Sequence, residues 1–141
     1  MRLIWRPLAP REIDHEFIWL CVSLGGLAAA ALWMKLGLSW PFCIFHALTG
    51  HPCLTCGATR SAIAFFHGDF AGAFVWNPMV FAIYLLLTVY DVYAFIVVVL
   101  RRPRLRLVGI SSFHKRLARW AVLTIIVVNW GYLLLNSRRF G

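Results

Sequence analysis

The stretch NPMVFAIYLLLTVYDVYAFIVVVL, residues 77–100, decides the fold. Asn77 followed by Pro78 is a helix-start signal. An asparagine side chain caps the orphan N–H groups of a first turn, and a proline at the first helical position has no N–H to satisfy. Residues 79–100 then stay apolar, interrupted by Asp91 alone. A helix of that length crosses the hydrocarbon core of a bilayer, so a span is expected over residues 78–100. The composition agrees. Of 141 residues, 62% are hydrophobic and 13% charged, outside the range of a soluble domain, and the length suits one domain.

Working outward from this span, residues 101–119 form a basic loop with Arg101, Arg102, Arg104, Arg106, Lys115, Arg116 and Arg119 and no acidic residue. Ser111-Ser112 can cap a last helix, expected to span residues 120–136. Upstream, residues 17–34 are uncharged and apolar, which gives a first span over residues 17–38. Gly37 and Pro41 act as its breakers. This run exceeds an ordinary signal-peptide core, so despite the alanines at 28–31 it reads as an anchor rather than a cleaved leader. Residues 1–16 balance Arg2, Arg6 and Arg11 against Glu12, Asp14 and Glu16.

The net charge of +9 would point to nucleic acid in a soluble protein. Here ten of the fourteen Lys and Arg residues flank spans, so no nucleic-acid partner is expected and anionic lipid headgroups are. Positive charge stays on the cytoplasmic side. That rule orients the chain with its N-terminus and basic loop on the cytoplasmic side of the membrane. Residues 39–77 then form an outer cap.

The cap is broken by Gly50, Pro52, Gly57, Gly68 and Pro78, and its helix, expected over residues 55–66, is too short to cross. It is read as partly inserted at the membrane surface. It carries HPCLTCGATR, residues 51–60, with Cys43 upstream. Three readings of Cys43, Cys53 and Cys56 stay open. In a redox reading, Cys53-x-x-Cys56 opens a helix whose positive end favours a thiolate, with Arg60 one turn on. In a metal reading, the three cysteines and one of His46, His51 or His67 form a Cys₃His set suited to zinc. In a structural reading, Cys43 closes a disulfide to Cys53 or Cys56, Gly50 and Gly57 supply turns, and Arg60 pairs with Asp69.

Quinone-linked thiol oxidases and vitamin K epoxide reductases also set a CxxC at the outer end of a membrane helix. They use a second outer cysteine pair, whereas here Cys43 is the one further outer cysteine, since Cys21 lies in the first span. A closer resemblance comes from the whole order Cys43, Thr49-Gly50, Cys53, Cys56-Gly57, Thr59-Arg60, Gly68-Asp69 and Asn77-Pro78. It resembles a bacterial membrane family catalogued as domain of unknown function 2752. That family usually has proline after the first cysteine of the pair, where this chain has Leu54. The resemblance implies a membrane fold and no established activity.

Within the spans, Asp91 is a functional candidate by position. Its more ordinary role is a neutral acid hydrogen-bonded to Asn129, reached by counting equal depths from residue 101 and from Trp120. The overall expectation is an all-α integral membrane protein with three spans and a Cys-rich cap. Its expected role is a non-catalytic accessory or assembly subunit of a larger membrane complex, without a cofactor. A thiol-redox protein, with quinone possible, and a zinc-binding module are the alternatives. The structural cap residues are Cys43, Gly50, Cys53, Cys56, Gly57, Thr59, Arg60, Asp69 and Asn77.

Overall fold

A computed structural model describes residues 2–9, 12–37, 43–109 and 111–139. Arg11, residue 38 and Pro41, which entered the expectations above, lie outside the described residues. The chain is mostly helical, and three helices are long and apolar enough to cross a membrane: α1 (His15–Lys35), α5 (Pro78–Val99) and α6 (Ser112–Leu135). Between α1 and α5 lie α2 (Ile44–Thr49), α3 (Ala58–Phe66) and α4 (Phe70–Trp76). A two-stranded sheet joins β1 (Arg2–Arg6) to β2 (Arg104–Val108), and a 3-10 turn follows α6 at Ser137–Arg139. The segments fall into two compact units, residues 1–39 with 87–114 and residues 40–86 with 115–141.

In the first unit, β1 and β2 pair antiparallel, with Trp5 opposite Leu105 and Arg6 opposite Arg104. The sequence reading did not anticipate this ribbon, although β2 alternates Arg104-Leu105-Arg106-Leu107; the run is short, and β1, RLIWR, shows no such pattern. What holds it is charge. Arg104 pairs with Asp14, Arg106 with Glu16 and more loosely with Glu12, and Arg6 with Glu12 at 2.7 Å. Asp14 also caps α1, accepting from the Phe17 N–H. The Tyr93 hydroxyl on α5 accepts the Leu105 N–H at 2.8 Å, which ties β2 to that helix.

In the second unit, α3 and α4 pack on the start of α5 through aromatic edges. The buried Phe65 ring lies 5.4 Å from Phe70 and 6.0 Å from Phe81, centroid to centroid. The Ser61 hydroxyl donates to the Ala73 carbonyl at 2.8 Å and closes α3 onto α4.

One boundary differs from expectation for a physical reason. The short helix begins at Ala58 rather than residue 55. Gly57 sits at φ +78°, a left-handed conformation that ends the preceding turns and cannot continue a right-handed helix. The last helix begins at Ser112, as the Ser111-Ser112 cap signal predicts, and runs for eight residues before Trp120. Lys115, Arg116 and Arg119 are good helix formers, so they mark where α6 leaves the hydrocarbon and not where it starts.

Candidate thiol site

The loop from Pro52 to Gly57 brings three sulfurs together. The Cys43 thiol donates to Cys53 Sγ at 3.2 Å, and Cys56 Sγ lies 3.4 Å from Cys53 Sγ. All three sulfurs fall within 4.8 Å of one another, and all are free thiols. Cys43 is delivered as the N-cap of α2, where its sulfur accepts the His46 N–H at 3.4 Å. Gly50 ends that helix at φ +69°, turning the chain back toward the loop. Cys56 Sγ in turn accepts the Cys53 N–H at 3.1 Å.

The pair is electrostatically uneven. Burial raises the Cys53 thiol, but it is outweighed by hydrogen bonds from the Thr55 hydroxyl, the Cys43 and Cys56 thiols and the Thr55 N–H, and the net effect brings it down to about 7. Burial, together with the hydrogen bond that Cys56 makes to Cys53, pushes the Cys56 thiol up to about 12. Cys53 is therefore the more acidic thiol of the pair and Cys56 the less acidic.

The backbone of this loop is gripped from two helices. Asn77 is fully buried, and its amide donates to the carbonyls of Leu54 at 3.1 Å and Cys56 at 3.0 Å. Its Oδ1 accepts the Val80 N–H at 3.2 Å, so the expected cap of α5 forms and the same residue pins the cysteine loop. From α6, Asn129 Oδ1 accepts the Met79 N–H at 3.0 Å while its amide donates to Leu54 O at 3.5 Å. Trp130 Nε1 donates to the carbonyl of the buried Pro52 at 3.2 Å. Trp130 was missed by sequence reasoning. A tryptophan in an apolar helix carries no sign of which carbonyl it will meet.

Other expected contacts are not made. Asn129 spends its side chain on Met79 and Leu54, so the pair expected with Asp91 does not form. Asp91 is half-buried in α5, and its Oδ1 has no hydrogen-bond partner among the described residues. Arg60 and Asp69 do not pair either. Arg60 donates to the Arg139 carbonyl at 3.1 Å and lies 4.7 Å over the Trp76 ring, while Asp69 caps α4 by accepting the Gly72 N–H at 2.8 Å. Both cysteines of the pair precede α3 and do not open it. Thr59 lies in the first turn of α3.

The histidines divide in the same way. His51 Nδ1 meets the Thr49 carbonyl at 2.7 Å and His67 Nδ1 the Ile63 carbonyl at 2.8 Å. Among the described residues no histidine nitrogen belongs to the three-sulfur set.

Fold and site together define a small membrane-type helical protein with a three-thiol cap. Residues 43–90 match the family described as "protein of unknown function (DUF2752)", which bears out the resemblance carried by the cysteine, Gly-Asp and Asn-Pro pattern. No curated protein and no solved structure matches the chain.

Proposed function

We propose that this protein is a membrane thiol–disulfide exchange protein with Cys53 as its nucleophile. The observation that carries the reading is the position of Cys53 Sγ between two other thiols, 3.2 Å from Cys43 and 3.4 Å from Cys56. In the exchange, the Cys53 thiolate attacks one sulfur of a protein disulfide. The disulfide breaks, the far sulfur leaves as a thiolate, and a mixed disulfide to Cys53 forms. A neighbouring thiol, Cys43 or Cys56, then loses its proton and attacks Cys53 Sγ. This closes an internal disulfide and releases the second substrate sulfur as a thiol. Two electrons pass to the substrate, and run backward the same steps oxidise a dithiol. This reading is preferred to the accessory-subunit role because a non-catalytic subunit has no need of an acidified thiol set 3.2 and 3.4 Å from two further sulfurs. The three-sulfur set also supports a second reading, a soft-metal site, since thiolates suit zinc.

The chain is inferred to sit in a bacterial inner membrane, with the basic segment cytoplasmic and the thiol cap on the outer, oxidising face. Seven basic residues between Arg101 and Arg119, unaccompanied by any acid, support that orientation.

The test is disulfide mapping of the reduced, purified protein after equilibration with graded ratios of reduced and oxidised glutathione, alongside elemental analysis. An internal disulfide that always includes Cys53, is abolished by Cys53→Ser and is untouched by Cys21→Ser is expected. A stoichiometric zinc ion that shields all three thiols from alkylation would favour the metal reading. Three thiols that stay reduced at every ratio, with no metal, would return the protein to an accessory role.

A further inference from the structure

The ribbon and α5 enclose a second feature, well away in sequence from the cysteines. A groove of about 530 Å³ lies between β1 and the second half of α5, lined by Trp5, Val89, Val92, Tyr93 and Ile96, with Arg102 at its border. Its lining atoms are almost wholly apolar, so Arg102 contributes its aliphatic stem and carries its guanidinium beyond the groove. The groove is built and not incidental. Tyr93 both lines it and accepts the Leu105 N–H, and the Arg104–Asp14 and Arg106–Glu16 pairs fix the ribbon that carries Trp5.

Charge decides what fits there. Glu12, Asp14 and Glu16 are the acids of this unit outside the helix carrying Asp91, and Arg6, Arg104 and Arg106 engage all three. Arg101 and Arg102, which follow α5 directly, have no carboxylate partner among the described residues. An apolar groove on a spanning helix that is bordered by the unneutralised Arg102, next in sequence to Arg101, matches a molecule with a hydrocarbon tail and an anionic head. We propose that this groove is a binding site for one anionic phospholipid. An acyl chain lies along Val89, Val92 and Ile96 under Trp5, and the phosphate meets Arg102 and Arg101. Clustered basic residues immediately beside a span act as such headgroup sites.

The experiment reconstitutes the full chain in vesicles of equal phosphatidylglycerol and phosphatidylcholine, extracts it in mild detergent and weighs it by native mass spectrometry. One retained phosphatidylglycerol, in preference to phosphatidylcholine, is expected. Arg102→Gln should lower that preference about fivefold, and Val92→Trp, which fills the groove, should lower retention of both lipids. Arg138→Gln, outside this unit, should change neither. Equal retention of the two lipids, or phosphatidylglycerol retention that survives both groove variants, would overturn the proposal. Retention of neither lipid would also overturn it and leave the groove to a partner's helix.

Discussion

The cysteine loop and the arginine ribbon are both non-helical segments set beside spanning helices, and they are held by opposite means. The loop is held by neutral donors. Asn77, fully buried, and Asn129, 4% exposed, supply uncharged amides to its carbonyls and to the first turn of α5, and Trp130 supplies an indole N–H. The ribbon is held by ionised pairs, of which Arg6–Glu12 is well exposed. Irregular backbone close to hydrocarbon has to be satisfied inside the protein, and an amide does this without needing a counter-ion. In the ribbon the buried Arg104 and Glu16 are each matched by a counter-ion, Asp14 and Arg106, and water reaches the outer Arg6–Glu12 pair. The contrast extends to the sulfurs, whose acidities are set by hydrogen bonds from thiols, a hydroxyl and backbone, with burial opposing in one case and aiding in the other.

The largest expected effect follows from that last point. In the folded cap Cys53 is lowered to about 7, so its thiolate is the dominant form above that pH and is lost as pH falls through it. Alkylation of the reduced protein at Cys53 should therefore be near its plateau at pH 8 and fall about tenfold for each pH unit below 7. Cys56, pushed up to about 12, should stay unmodified across the same range. Peptide mapping after a timed iodoacetamide pulse reads both. Equal rates at the two sulfurs would mean that the cap does not differentiate its thiols, and the comparison with the ribbon would lose its electrostatic half.

A smaller effect tests the grip on the loop. Asn77→Leu leaves the Cys56 carbonyl and the Val80 N–H without the partners they have now. An unsatisfied buried polar group costs about 1–3 kcal/mol, so a loss of about 3 kcal/mol in reversible unfolding is expected. Asn129→Leu strands chiefly the Met79 N–H, because Leu54 O keeps its bond from Asn77. It should cost about 1–2 kcal/mol. Denaturant titration of the purified variants gives both values, and the reverse order would make α6, and not the cap of α5, the main support of the loop.

Much of this was legible in the sequence for a simple reason. Apolar runs near spanning length and an Asn-Pro start are local signals, and they gave the three helices and the capping role of Asn77. The cysteine spacing picked out three sulfurs that the fold brings within 4.8 Å of one another. What was not legible depends on partners distant in the chain. Asn129 looked like a match for Asp91 because both are polar groups in spans, yet its partner is Met79, fifty residues away. Arg60 and Asp69 looked like a pair because opposite charges were scarce there, yet a backbone carbonyl, an indole face and a helix N-terminus each competed successfully for one of them. The ribbon was invisible because its strands are held by acids from the loop before α1 and from its first turn, at a separation of 90 residues for Arg104–Asp14 and Arg106–Glu16.

The smallest expected effect lies at the exposed end of that ribbon. The Arg6 side chain is 50% exposed and its partner Glu12 26%, so water screens their attraction and both side chains lose freedom in making it. Glu12 also has other work. Its second oxygen accepts the Ala9 N–H at 3.1 Å, and Arg106 lies 3.9 Å from it, so it remains placed when Arg6 is gone. Arg6→Gln should therefore leave the unfolding midpoint unchanged within error at moderate salt, in contrast to Asn77→Leu. Any shift should appear at low ionic strength and vanish on adding salt. A salt-independent loss in Arg6→Gln comparable to that of Asn77→Leu would show that this end of the ribbon is shielded from water like its buried pairs. The contrast between a loop held by neutral amides and a ribbon ending in a water-exposed ion pair would then fail.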